Sequence, residues 1–157
     1  MKKYLLASIL ALSSLAGVAL AADTGSSVPA RPQDPTLERA RAAIAQKDWA
    51  AAQSTLRDAV ERDPSNADYH NLYAYSIRKG ANPDMSLVFK HYNQALSIDP
   101  KHKAAHEYLG EAYLMAGNVG KAKEHLAQLD KLCFFPCSEF TDLKKAISEF
   151  EAGEVAR

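Results

Sequence analysis

The chain has 157 residues, 19 Lys and Arg against 19 Asp and Glu, and two cysteines. A net charge of zero gives no electrostatic case for nucleic acid or an anionic membrane surface as partner. The length suffices for one domain with a real core.

Residues 1–21 have the pattern of a signal peptide. Lys2 and Lys3 open it, an apolar run from Tyr4 to Ala22 follows, and Ala19-Leu20-Ala21 offers small residues to an export peptidase. Cleavage after Ala21 or Ala22 is expected, leaving no membrane span and a net charge of −2. The short Met-Lys-Lys start points to a bacterial source, hence to a periplasmic or secreted protein. Residues 22–35 contain Gly25, Ser26, Ser27, Pro29, Pro32 and Pro35, too little apolar content to fold, and are expected to form a disordered leader.

From Thr36 one pattern recurs. Ala40, Ala52, Leu56, Ala59 and Pro64 are echoed by Ala74, Val88, Tyr92, Ala95 and Pro100, then by Gly110, Ala122, Leu126 and Leu129. The apolar residues fall at helical spacing, and Asp63-Pro64 and Asp99-Pro100 each end a helix because a residue before proline is pushed out of the helical region. Three helix pairs are expected, over about 36–66, 67–102 and 103–132. The second has two extra residues, placed in its turn around Asn82 and Pro83. Asn66 or Asp68 can cap the first helix of the second pair. The small residues at Ala40, Ala74, Gly110, Ala52 and Ala122 are expected to let the paired helix axes approach closely. Residues 133–157 follow as a cysteine-bounded turn and a seventh helix, with Ser138 as its N-cap. Phe140, Leu143, Ala146, Ile147 and Phe150 form the apolar stripe with which it caps the stack. The extreme end, 152–157, is expected to fray.

His106-x-x-Leu109-Gly110-x-x-Tyr113, then Gly117-Asn118, Ala122 and Leu126, resembles the tetratricopeptide repeat family, as does Ala95-Leu96-Ser97-Ile98-Asp99-Pro100. The resemblance covers about Thr36 to Leu132. It departs at Ala43, where the family has an aromatic, and at the end of the third unit, which lacks the proline. It implies an all-α fold, an α-solenoid of three helix pairs plus the capping helix, and a protein-binding role. Some family members grip a C-terminal carboxylate with Lys and Asn. The equivalent places here hold Leu37, Arg41, Leu72, Ala104 and Tyr108, so that clamp is missing.

Cys133 and Cys137 lie four apart. In an exported chain the default is a disulfide, with thiol-redox and metal roles as alternatives. Neither alternative finds its context, since no βαβ pattern surrounds the pair and His125 is two helical turns upstream. His70 and His106 occupy equivalent repeat positions where the family often has tryptophan, which favours packing over metal ligation. No Gly-x-Ser-x-Gly, phosphate loop or His-Glu-x-x-His is present, so no catalysis, cofactor or metal is expected.

The first helices of the pairs should line a concave groove. Arg41, Asn71, Tyr75, Arg78, Glu107 and Glu111 are its candidate partner-binding residues, a basic patch grading into an acidic one, with Tyr75 as aromatic anchor and Arg78 as charge contact. The leading function is an exported adaptor or scaffold binding a peptide or protein. The rivals are an envelope thiol-redox or metal-handling factor working through Cys133 and Cys137, and self-association.

Overall fold

The computed structural model describes residues 34–135 and 137–153. The expected signal peptide, the leader up to Gln33 and the tail beyond Gly153 lie outside them. Among the described residues there are seven α-helices and no strand: α1 (Pro35–Ala45), α2 (Trp49–Arg62), α3 (Ala67–Arg78), α4 (Met85–Ile98), α5 (Lys103–Met115), α6 (Val119–Leu132) and α7 (Ser138–Glu151). The architecture is the expected solenoid of helix pairs.

Local chemistry sets the helix starts. Asp34, Asp48, Asn66, Asp84, His102 and Asn118 each take a backbone N–H of the first turn with a side-chain acceptor. Each such cap contributes roughly 1 kcal/mol. Two sequence expectations change here. The leader was expected to run through Pro35, yet Asp34 caps α1 and also accepts from the Tyr69 hydroxyl at 2.6 Å, so residues 34 and 35 belong to the fold. Ser138 is the first residue of α7 rather than its cap. Cys137 holds the extended cap position, and its carbonyl accepts from both the Thr141 amide and the Thr141 hydroxyl at 3.1 Å.

Each helix packs on the next, and α7 packs on both α5 and α6. Ala40, Ala52, Ala74, Val88 and Ala122 are fully buried between them, beside Leu56, Tyr92, Leu109, Leu129 and Leu143. Burying each large side chain contributes about 1.5–3 kcal/mol. Gly110 serves a different contact from the one expected. A Cβ on it would meet the Leu143 side chain of α7, so its smallness admits the capping helix. The two extra residues of the second pair do lie in its turn, 79–84, which is three residues longer than the turns at 46–48 and 116–118 because α3 also ends one residue earlier in register than α1 and α5. Cys133 and Cys137 form a disulfide that closes the junction between α6 and α7.

Candidate partner-binding groove

On α3, Asn71, Tyr75 and Arg78 follow one another at helical spacing along one face, and on α5 so do Glu107, Glu111 and Leu114. The two faces meet at Arg78. Its Nη2 donates to Glu111 Oε2 at 2.6 Å and its Nε to the Tyr92 hydroxyl at 3.3 Å. The guanidinium also lies 5.6 and 5.8 Å from the ring centres of Tyr75 and Tyr108. Only 5% of the Arg78 side chain is exposed. It therefore braces α3 against α5 and presents no free charge. The basic patch expected from the sequence shrinks to Arg41, which is exposed and lies 3.4 Å from Glu38.

Asn71 and Glu107 are both buried, at 2% and 8% exposure. Asn71 Oδ1 has no hydrogen-bond partner among the described residues. An orphaned buried acceptor of this kind costs about 1–3 kcal/mol. Burial, reinforced by Glu111, Asp142 and Glu139, pushes the Glu107 carboxyl up to about 8, with Arg78 opposing. Glu107 has no hydrogen-bond or ion-pair partner among the described residues, whereas Glu111, one turn on, is matched to Arg78.

An aromatic row crosses the repeats beside these groups. Trp49 stands edge-on to Tyr75 at 6.2 Å, and Tyr75 and Tyr108 are 4.7 Å apart by ring centres. All three are half-buried, leaving ring surface open. Trp49 was missed as a groove residue because it belongs to a second helix, and Tyr108, placed by sequence at a lost clamp position, was not among the candidate partner contacts. A second-helix residue at the turn reaches the first-helix face only through tertiary packing.

The histidines form two pairs in equivalent places. His70 and His91 approach through their Nδ1 atoms at 2.8 Å, and His106 and His125 at 2.9 Å. The Nε2 atoms of His70 and His106 reach the carbonyls of Pro64 and Pro100 at 3.0 and 3.1 Å. A carbonyl only accepts, so His70 and His106 carry their proton on Nε2. Their Nδ1 then accepts from the Nδ1–H of His91 or His125. Burial first, then the neighbouring imidazole, holds His91 and His125 each at about 4. The pairs lock first helix to second within a repeat, and His125 is engaged with His106 and stacked on Tyr113. Among the described residues no three His, Cys, Asp or Glu side chains converge as a metal site. His91 and His125 were missed as partners, although their recurrence in register with His70 and His106 was the available signal. Phe134 and Phe135, inside the disulfide loop, are 94% and 76% exposed, also unanticipated.

Two family profiles described as tetratricopeptide repeat match residues 37–83 and 88–132, together more than half of the chain. The chain is 33% identical over 82 residues to tetratricopeptide repeat protein 37 of Xenopus laevis, a match covering 50% of this chain and 5% of that much longer relative. The solution structure of the first TPR domain of human RPAP3 superposes with a TM-score of 0.65 at 17% identity, covering 76% of this chain and 91% of that one, a likeness of fold. The helix pairs, their recurrent small residues and these matches agree: the chain belongs to the tetratricopeptide repeat family.

Proposed function

We propose that this chain is an exported, non-catalytic interaction module whose groove, lined by the first helices of its repeats, holds an extended peptide or a segment of a partner protein. The observation carrying this reading is the half-open row Trp49, Tyr75 and Tyr108, which spans the repeats next to buried polar groups. Rigid aromatic anchors beside desolvated polar groups are the usual composition of a binding hot spot. Repeat proteins of this family bind protein partners. Export rests on the N-terminal pattern at residues 1–21, and the periplasm is the compartment proposed. Among the described residues no helix is long and apolar enough to cross a membrane.

Crosslinking capture of the full chain from its native envelope tests the groove. Tyr75→Ala with Tyr108→Ala should lose the partners that the wild type recovers, with the helical content unchanged. Recovery of the same partners by both would refute the groove reading. Arg78→Glu is a poor probe, because it would set a buried carboxylate against Glu111. N-terminal sequencing of the mature protein tests export: a first residue of Ala22 or Asp23 is expected, and an intact Met1 would overturn it.

A further inference from the structure

The groove also indicates the chemistry of what it binds. We propose that Asn71 and Glu107 form a cation clamp, taking the ammonium or guanidinium of a lysine or arginine side chain within an extended partner segment. The proposal rests on the groove reading above.

Two unpartnered acceptors carry it. Asn71 Oδ1 is buried with no donor, on the same α3 face as Tyr75 and Arg78. Glu107 holds the equivalent position one repeat later on α5, is 8% exposed, and has no ion-pair or hydrogen-bond partner among the described residues, Arg78 acting on it only at a distance. Arg78, the buried cation of this face, is already taken up by Glu111 at 2.6 Å. A native interior rarely leaves an acceptor like Asn71 Oδ1 unmatched, and a donor entering from the groove would serve it and the unpartnered Glu107 carboxyl together.

The surroundings favour a positive guest. Glu107 is faced by Glu111 and Tyr108 on its own helix, by Glu139 and Asp142 on α7, and by Arg78 and Tyr75 on α3. Three of these six are carboxylates, and only one of the three, Glu111, is paired with Arg78. Tyr75 and Tyr108, whose rings already take the Arg78 guanidinium at 5.6 and 5.8 Å, still leave open ring surface along which the alkyl stem of a lysine or arginine can lie. A C-terminal carboxylate would be repelled here, the reverse of the grip that Leu37, Leu72 and Ala104 fail to supply.

A proton signature follows from the burial of Glu107. Its carboxyl is held up at about 8, so the protein by itself carries it largely protonated at neutral pH. An entering cation favours the ionised form and expels the proton. Affinity should therefore rise as pH increases from 6 toward 8, by at most about tenfold per unit.

The test uses the full chain and pools of short peptides, N-acetylated and C-amidated so that no terminal charge competes. The pools are randomised except for a central Lys, Arg, norleucine or Glu. The Lys and Arg pools should bind about tenfold or more tighter than norleucine, and the Glu pool weakest. Calorimetry at pH 7 in buffers of different ionisation heat should show a proton released with the Lys pool. Glu107→Gln, a neutral isostere of the protonated acid, should abolish that release and most of the Lys preference. Asn71→Leu should weaken the preference by a smaller factor. If norleucine binds as well as Lys and binding falls with Tyr75→Ala plus Tyr108→Ala, the groove stands and the clamp is wrong. If the tyrosine variants bind every pool as the wild type does, the groove reading itself fails. Absence of binding by every pool counts against both.

Discussion

A Cβ added to Gly110 would stand 2.6 Å from Leu143 Cδ2 and 2.7 Å from Cδ1, with Leu143 itself fully buried. The missing side chain is thus the space into which the capping helix seats its central leucine. Alanine ordinarily improves a helix over glycine by about 1 kcal/mol. Here overpacking should outweigh that gain, and Gly110→Ala should destabilise by about 1–2 kcal/mol net. Urea unfolding checks this. In a Leu143→Ala background the same Gly110→Ala change should turn neutral or stabilising, because the clash is gone.

The histidine pairs predict an acid-sensitive fold. His91 and His125 are held at about 4 when folded, against 6.5 as ordinary imidazoles. A lowered histidine is kept neutral by the fold, so the unfolded chain binds more protons as acid is added. Their contribution is intact above about pH 6.5 and is lost as pH falls toward 4, by roughly 1–3 kcal/mol for each pair. Urea midpoints should drop between pH 7 and 4.5. His91→Leu with His125→Leu should flatten that slope even if it lowers stability overall. Asp34 and Asp68, both held below the usual carboxylate value by side-chain hydrogen bonds, act on the acid side of that window.

The disulfide spans a five-residue loop, from Cys133 to Cys137, and should contribute about 2 kcal/mol through the unfolded chain. Cys133→Ser with Cys137→Ser should lower the melting temperature. Reductant should do the same to the wild type and nothing to the variant. An unchanged melting temperature would show that the bond does not staple α7 to the stack.

Lys47 sits at φ 57 in the turn between α1 and α2, where the third repeat has Gly117 at φ 75. A left-handed conformation is unfavourable for a residue with a Cβ. Lys47→Gly should therefore stabilise by roughly 0.5–1 kcal/mol. The reverse change, Gly117→Lys, should destabilise by a similar amount, although open space surrounds Gly117.

Much of this molecule is settled within short stretches of chain. Apolar residues at helical spacing, Asp-Pro stops and Asn or Asp caps act over three or four residues, so the helix pairs and their small contact positions are legible in sequence. The α7 cap was misassigned because a disulfide cysteine took the place that local propensity would give to Ser138. The groove residues were found as a face, but not their states. Arg78 is matched by Glu111, 33 residues away, and His70 by His91, 21 away, while among the described residues Glu107 and Asn71 Oδ1 are left without partners. Periodicity says which face a side chain takes. Only packing between helices decides which charges are neutralised, which rings stay open and which acceptors remain unfilled, because those outcomes depend on burial and on angstrom-scale distances between residues far apart in the chain.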